Sequence, residues 1–199
     1  MASNPAARNP VIEAIYQRRS IRTFSSQPIP RSLIITLIEA GNMAPSGHNQ
    51  QPWRFVVIED RAVKQALLKI TLPLDQAMLQ RLHTTDPTTA AAIQQVVAQH
   101  PDDPIYYSAP IILFVIGTGG GTESMDCSLV CQNIMLAAHS VGLGSCIVGA
   151  GRRGLTEDPE IITALKLTAN ETIYPPIVIG YPRTHPASPP KQSPHITWV

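Results

Sequence analysis

The strongest constraint on this chain is the segment from Ser124 to Val141, whose apolar residues fall on nearly every side of a helix. A helix that is apolar all round has no face for water, so it lies at the centre of a domain or in an interface between subunits. Gly142 ends this helix. A chain of 199 residues suits one domain with a sizeable core rather than two full domains. We therefore predict a single domain, residues 1–199, packed around this helix.

The carboxyl-terminal segment is set apart by its prolines. Seven of the 19 prolines fall in the last 25 residues, and such a segment cannot be helical and offers few donors to a sheet. We expect it to run extended. Because it is too poor in apolar residues to build its own core, it is either disordered or lies along another surface, such as that of a partner subunit.

Charge and hydropathy exclude several classes of function. The formal net charge is +1, which gives no strong electrostatic attraction to nucleic acid. No apolar run approaches the roughly 18 residues needed to span a bilayer, and the first ten residues contain no apolar stretch that could direct secretion. Three cysteines do not make a disulfide framework. We expect a cytoplasmic protein that binds neither nucleic acid nor a membrane.

Helical and strand patterns alternate along the chain, which indicates a sheet covered by helices. Asn9-Pro10 is typical of a helix start, and this first helix should end on the basic stretch Arg18–Arg22. A second helix follows Pro30. The predicted strands are the apolar runs Phe55–Ile58, Ile111–Ile116, Ser145–Val148 and Thr172–Ile179.

Residues 62–105 are rich in Ala, Gln and Thr. Helical patterns are found at Val63–Ile70, Asp75–Leu82 and Thr89–Val97. We interpret this stretch as a helical insertion or lid rather than as part of the central core.

The first candidate motif, Arg18-Arg19-Ser20-Ile21-Arg22, places three guanidinium groups and a hydroxyl within five residues. These donors suit a phosphate, which accepts charge-assisted hydrogen bonds from planar guanidinium groups. The alternative is a solvated helix end, whose arginines complement the negative end of the helix dipole. The chemistry of these residues alone favours the alternative.

The second motif, Ala44 to Trp53, is rich in amide side chains between two prolines. Each amide offers donors and an acceptor, which suits recognition of the edge of a heterocycle. The alternative is a loop whose Asn and Gln side chains satisfy their own backbone. The residues leave both interpretations open.

The third motif, Gly142 to Ala150, carries glycines directly after the apolar helix. Glycines there would let the backbone approach a flat ligand closely. The alternative is a tight turn from helix to strand, which is favoured when the motif is taken alone.

Two other signals do not predict sites. Gly149 to Gly154 fits the dinucleotide pattern G-x-G-x-x-G, but Pro159 leaves no clean helix opening at the glycines. Cys127 and Cys131 lie four apart on one helix face with no second pair at metal spacing. We therefore predict buried thiols there and no metal site.

Taken together and in this order, the three motifs resemble the nitroreductase family of flavin mononucleotide (FMN) enzymes. The resemblance runs through Ile15–Phe24, Ala44–Ile58, Asp126–Gly149 and Ile177–Pro182. It implies an α+β fold with a central, mostly antiparallel sheet flanked by helices. It also implies an intertwined homodimer with two FMN molecules at the interface, in which the extended tail, residues 182–199, wraps the partner subunit.

The resemblance assigns FMN-binding roles to individual residues. The phosphate-binding positions fall on Arg18, Ser20 and Arg22, with Arg19 adding ribityl or phosphate contacts and Lys191 completing the phosphate site. Family tails often carry a second basic residue just after this lysine, where the present chain has Gln192 and Ser193. The loop that reaches the flavin pyrimidine, donated across the dimer, falls on Ser46, Gly47, Asn49 and Gln51. The backbone beside flavin N5 falls on Ile147, Val148 and Gly149.

The activity implied by the resemblance uses no catalytic side chain, because the cofactor performs the chemistry and the protein supplies position and electrostatics. FMN would take electrons from NADH or NADPH and pass them to nitroaromatic, quinone or related electrophilic acceptors in a ping-pong mechanism. Other members of the family fragment flavin, remove halogens reductively or reduce enones. A non-catalytic FMN-binding or redox-sensing protein is the alternative outside the enzyme classes.

Overall fold

The structure, a computed structural model, describes residues 9–199. These residues contain six α-helices and five strands, connected by loops and short 3₁₀ turns. Residues 1–8, which hold most of the segment expected to lack a secretion signal, lie outside the described residues. The helices are α1 Pro10–Gln17, α2 Arg31–Asn42, α3 Arg61–Thr85, α4 Pro87–Ala98, α5 Glu123–Ser140 and α6 Pro159–Ala164. The strands are β1 Trp53–Ile58, β2 Ile111–Gly117, β3 Gly144–Ile147, β4 Thr172–Ile173 and β5 Ile177–Gly180.

The strands form one antiparallel sheet in the order β1-β2-β5-β3, with the short β4 pairing to the end of β2. All seven residues of β2 are buried. Successive side chains of a strand point to opposite faces, so the even-numbered isoleucines and Phe114 enter one core and the odd-numbered apolar residues enter the other. Residues of α3 and α6 cover the first face, and residues of α2 and α5 cover the second. The predicted α+β fold with a mostly antiparallel central sheet is confirmed.

Helix α5 packs on the second face of the sheet and against α2. Gly41 lets the two helices approach closely, because a Cβ at this position would lie 2.6 Å from Cγ1 of Ile134. The sequence predicted burial either at the centre of the domain or in an interface between subunits, and within one chain the outer side of α5 is open. Met125 and Leu129 on that side are exposed, because no other element of the described chain covers them.

The predicted strand Thr172–Ile179 is divided into β4 and β5. The interruption contains Pro175 and Pro176. A proline has no N–H to donate to a neighbouring strand, so the hydrogen-bond ladder stops there and resumes at Ile177.

The helical insertion contains one long helix where two separate stretches were predicted, because α3 runs unbroken through Pro73. Leu67, Thr71 and Asp75 are buried at four-residue spacing, so one face of the helix packs continuously on both sides of the proline. This packing outweighs the backbone hydrogen bond that the proline removes. The third predicted stretch forms α4, which packs against α3.

The basic stretch follows α1 rather than forming its end. Residues 18–25 run beside the edge strand β3, where the Ile21 N–H donates to the Ser145 carbonyl oxygen at 3.0 Å. The Ser25 N–H donates to the Tyr181 carbonyl oxygen at 2.9 Å. The stretch is therefore held between the edge of the sheet and the beginning of the tail.

Two classes of feature are absent from the described residues. No helix between residues 9 and 199 is both long and apolar enough to cross a membrane. Within the same range, the His, Cys, Asp and Glu side chains form no group of three that could hold a metal ion.

The close approach of the basic stretch to β3 depends on Gly144. A Cβ at Gly144 would lie 2.7 Å from Cβ of Ile21. We expect Gly144→Ala to lower the free energy of unfolding by about 1–3 kcal/mol, because the basic stretch or β3 must shift. Urea denaturation measures this change. Gly121→Ala is the control, since nothing lies within 4 Å of a Cβ there, and its effect should stay below about 0.5 kcal/mol. Equal effects of the two substitutions would contradict the close approach.

Candidate functional site

A cavity of about 700 Å³ brings together the basic stretch and the tail. We call it the basic cavity. Its polar lining residues are Arg18, Arg19, Ser20, Arg22, Ser188 and Lys191, with Tyr16 beside them. None of the described residues that line it carries a carboxylate. The structure thus joins Lys191 to arginines that lie about 170 residues earlier in the chain, and the combined positive charge suits an anionic group.

The arginines of the basic cavity differ in their partners. The Arg19 Nη1 donates to the carbonyl oxygens of Tyr16 and Arg18, each at 2.7 Å, so this guanidinium satisfies the end of α1. Arg18 Nη1 is buried and has no hydrogen-bond partner among the described residues. The helix-end interpretation therefore fits Arg19 alone. A buried donor normally has an acceptor, and a phosphate oxygen would supply one.

Ser145 is a residue that the sequence analysis did not assign. It is 1% exposed, and its Oγ has no partner in the described part of the chain. Together with Arg18, His139 and His185 it lines a smaller cavity of about 180 Å³ behind the basic stretch. Burial lowers the pKa of His139, and the nearby positive charge of Arg18 lowers it further. The only early signal was the serine in Gly142–Ala150, which no pattern of spacing connects to the arginines.

A second cavity of about 450 Å³ adjoins the first through Arg22, which lines both. We call it the apolar cavity. Ile147, Val148 and Gly149 line it from the end of β3. Helices α3 and α4 line it from the helical insertion, through Asp75, Met78, Thr89, Ala92, Ile93, Val96 and Val97. The insertion therefore lies over the backbone that follows β3, although its role as a lid stays a prediction.

The backbone at Gly149 is open to a ligand. Gly149 is exposed, and nothing lies within 4 Å of the position that a Cβ would take. A planar group can therefore approach the main chain there without meeting a side chain. The 3₁₀ turn Gly149–Arg152 follows directly, and the next α-helix begins only at Pro159. The structural context of a dinucleotide fingerprint is therefore absent from this segment.

Tyr107 lies on another side of the apolar cavity and was not assigned from the sequence. Its ring packs against that of His100, with centroids 4.9 Å apart, and the Arg22 guanidinium lies 5.9 Å from the ring centroid. Burial raises the pKa of the Tyr107 phenol above its ordinary value, so the phenol stays protonated at neutral pH. Because Tyr107 is brought beside Arg22 only by the fold, no local pattern could have revealed it.

The amide-rich loop lies elsewhere. Its residues Ser46, Gly47, Asn49 and Gln51 line neither of the two cavities of their own chain. The loop packs near Thr122, whose Oγ1 would lie 2.5 Å from a Cβ at Gly47. Some of its hydrogen bonds are made within the loop, as the alternative interpretation expected. The Gln51 Nε2 donates to Asn49 Oδ1 at 3.0 Å.

The cysteines of α5 are buried. Burial raises the pKa of the Cys127 thiol to about 12 and that of Cys131 to about 11. Both thiols are therefore protonated at neutral pH, and they behave as small apolar groups of the core.

Comparisons with known proteins agree with the geometry. A model described as the nitroreductase family matches residues 15–181. The chain is 30% identical over 176 residues to a protein of Archaeoglobus fulgidus assigned as an NADH dehydrogenase/NAD(P)H nitroreductase, covering 86% of this chain and 85% of that protein. It is 26% identical over 196 residues to iodotyrosine deiodinase of Drosophila melanogaster, covering 90% and 65%. The crystal structure of a nitroreductase with bound FMN from Bacteroides fragilis is similar with a TM-score of 0.74 at 25% identity, covering 96% and 99%.

Asp103 should hold the turn that carries Tyr107 into the apolar cavity. Tyr107 and Ser108 both have positive φ values, 57° and 50°, which are unfavourable for residues with a side chain. The Asp103 carboxylate accepts hydrogen bonds from the N–H groups of Tyr106 at 2.7 Å and Ser108 at 2.9 Å. We expect Asp103→Ala to lower the free energy of unfolding by about 1–3 kcal/mol, measured by urea denaturation. Asp102→Ala, at an exposed neighbouring position, is the control, and a loss as large there would contradict this role.

Proposed function

This chain belongs to the nitroreductase family, and from that premise we propose that it is an FMN-dependent oxidoreductase. In the proposed reaction, electrons pass from NADH or NADPH to a nitroaromatic, quinone or related electrophilic acceptor. One observation carries the proposal. The basic cavity and the apolar cavity are neighbours that share the lining residue Arg22, as expected for a cofactor with a phosphate at one end and a flat ring at the other.

The residues of the basic cavity fit the phosphate end of FMN. Arg18, Ser20, Arg22 and Lys191 would hold the phosphate, and Arg19 would contribute through contacts to the ribityl chain or the phosphate. The unpartnered, buried Nη1 of Arg18 supports this assignment, because a phosphate oxygen would satisfy it.

The residues after β3 would position the ring end. When bound, FMN supplies the hydride-accepting and hydride-donating chemistry. Ile147, Val148 and Gly149 would orient the ring by their main chain, and an N–H directed at its reactive edge would stabilise negative charge on the reduced form. The apolar side chains that α4 contributes to this cavity would limit the access of water to the ring. The nicotinamide and the acceptor would use this single cavity in turn, which gives ping-pong kinetics.

A second candidate function is reductive dehalogenation. It is favoured by the similarity to the Drosophila deiodinase, which extends over 90% of this chain. Both candidates need FMN and a reductant, so they differ in the acceptor alone. A non-catalytic FMN-binding protein would share the basic cavity but would not be reduced by nicotinamides.

We also propose that the protein is a homodimer whose two sites each use both chains. Val11, Ile15 and Tyr16 of α1 are exposed, as are Met125 and Leu129 of α5. The tail beyond residue 182 is exposed throughout, including Ile196 and Trp198. Apolar surface of this kind favours contact with a second copy. The loop at 46–51 would then reach the flavin of the partner chain.

The visible absorption spectrum tests the proposed function directly. We expect the purified protein to carry a flavin band that NADH or NADPH bleaches when oxygen is absent. A flavin band that persists with both nicotinamides would favour the non-catalytic alternative. A colourless protein that also fails to bind added FMN would contradict the proposal altogether.

Removing the donors of the basic cavity should weaken FMN retention. We expect Arg18→Ala to raise the Kd for FMN roughly ten- to hundredfold, since it removes charge-assisted hydrogen bonds. Ser20→Ala should act in the same direction but less, because the hydroxyl is neutral. Fluorescence titration of the apoprotein with FMN measures both. Arg31→Ala is the control, because Arg31 is an exposed arginine paired only with Glu59. Unchanged FMN affinity in both test variants would rule out the phosphate assignment.

A mixed dimer tests whether the sites are shared between chains. One chain carries Arg18→Ala and Ser20→Ala, and the other carries Asn49→Ala and Gln51→Ala; separate tags isolate the mixed species. If each site combines the basic cavity of one chain with the loop of the other, the mixed dimer keeps one intact site and binds about half the FMN of the wild type. The loop-variant homodimer is the control: the test applies when that homodimer loses FMN, since the loop lines no cavity of its own chain. If each site then lies within one chain, the mixed dimer has no intact site and loses FMN as both variant homodimers do.

A further inference from the structure

We propose that the acceptor is a neutral aromatic molecule and that Asp75 enforces this preference by neutralising Arg153 inside the apolar cavity. The inference rests on the proposed function and names the substrate class of the same site. It assigns Asp75 as a specificity-determining residue, a role that no motif in the sequence predicts.

The wall that α4 contributes to the cavity is uncharged. Residues 87–99, which contain all of α4, include no Asp, Glu, Lys or Arg. Ala92, Ile93, Val96 and Val97 from this stretch line the cavity. Most surface helices of soluble proteins carry charges on their polar side, but α4 uses Gln and Thr there instead. The α4 wall therefore lacks a fixed charge, and the acid that the insertion adds to the cavity, Asp75, comes from α3.

Three charged residues line the cavity among those described, Arg22, Asp75 and Arg153. Arg22 lines the basic cavity as well and lies beside the ring of Tyr107, and in the proposed site its charge would pair with the phosphate. Arg153 Nη1 donates to Asp75 Oδ1 in an ion pair. Asp75 is 7% exposed, and this buried carboxylate is the counter-charge that Arg153 has.

The amide-rich loop would not change this balance. Residues 43–52 contain no Asp, Glu, Lys or Arg. Even where the loop reaches the cavity from a partner chain, it adds amide and hydroxyl groups only, together with His48. With Arg22 paired to the phosphate, the loop from either chain therefore leaves the described lining around the acceptor without an unpaired charge.

An acceptor with its own charge would be disfavoured in such a cavity. A carboxylate or an ammonium group loses its water on entry and gains no unpaired counter-charge. A quinone or a neutral nitroarene loses little and gains contact with Ile93, Val96 and Tyr107. The same reasoning disfavours a halogenated amino acid, which carries both charges, and so favours the reductase over the dehalogenase.

The reaction with these acceptors balances without a further reactant. A quinone, NAD(P)H and one proton give a hydroquinone and NAD(P)⁺. A nitroarene, NAD(P)H and one proton give a nitrosoarene, water and NAD(P)⁺. In each case two electrons leave the nicotinamide, and the second hydrogen comes from solvent.

The test compares two acceptors of nearly equal shape, 4-nitrobenzamide and 4-nitrobenzoate, on the FMN-loaded protein. Calorimetry on the oxidised protein gives the Kd of each, and anaerobic kinetics with NADPH or NADH give kcat/KM. We expect the carboxylate to bind at least roughly tenfold more weakly than the amide, and kcat/KM to differ in the same direction. We expect no measurable binding of 3-iodotyrosine. Equal or tighter binding of the carboxylate would overturn the inference.

Variants locate the cause of the preference. Asp75→Asn keeps the shape of the side chain but leaves Arg153 without its counter-charge, so the preference for the amide should fall roughly tenfold or reverse. Val96→Lys places a positive charge on the wall and should shift the preference the same way. Gln95→Lys, on the exposed side of α4, is the matched control and should leave the preference unchanged.

An unchanged preference in Asp75→Asn with normal FMN content would overturn the role of Asp75. If that variant does not fold, Arg153→Gln with Asp75→Asn removes both charges and should retain the wild-type preference.

Binding and turnover separate this inference from the proposed function. If nicotinamides fail to bleach the flavin, the proposed function fails, while the ratio of the two Kd values still decides the inference. If the flavin is bleached and both acceptors turn over equally, the proposed function stands and the inference fails.

Discussion

The docking of residues 18–25 on the edge of β3 governs the rest of the site. The hydrogen bond from the Ile21 N–H to Ser145, and the absence of a side chain at Gly144, draw this stretch against the sheet. Ile21 and Phe24 of this stretch are buried in the hydrophobic core, and backbone hydrogen bonds to Ser145 and Tyr181 fix its position against the sheet. As a result, Arg18 and Arg22 lie half-buried at a fixed distance from the end of β3. Both cavities depend on this one attachment.

The charged side chains that line the two cavities are distributed unevenly between them. Positive side chains concentrate at one end, where no carboxylate among the described residues opposes them. At the other end Asp75, the only acid among the described lining residues, pairs with Arg153, the only basic residue among them apart from the shared Arg22. The resulting gradient from cationic to neutral runs through Arg22. A ligand with an anionic end and a flat, uncharged end is therefore expected to bind with its anionic end in the basic cavity. The charges set this orientation independently of the contacts that the flat end makes.

Local patterns predicted the parts of the fold that depend on near neighbours. The apolar runs of β1, β2 and β3 and the long helix α5 follow from burial, which periodicity reports directly. The unbroken helix through Pro73 did not follow, because its packing partners are distant in the chain. The phosphate interpretation of Arg18–Arg22 was disfavoured by local chemistry and came only from the resemblance to a family. The resemblance also assigned Lys191, which the structure places in the same cavity, whereas the pairing of Asp75 with Arg153 and the position of Tyr107 have no local signal at all. The assignment of these residues to FMN stays a prediction.

The amide-rich loop holds strain that its own chain does not use. His48, Asn49 and Gln51 have φ values of 53°, 56° and 49°, a region that costs free energy for residues with a Cβ. The loop is held there by specific bonds, including the one from the Gln51 N–H to Ser46 Oγ at 2.9 Å. Strained conformations persist where the surrounding structure over-determines them, and they cluster at functional sites. This loop lines neither cavity of its own chain, so its strain agrees with the proposal that it completes a site on a second copy.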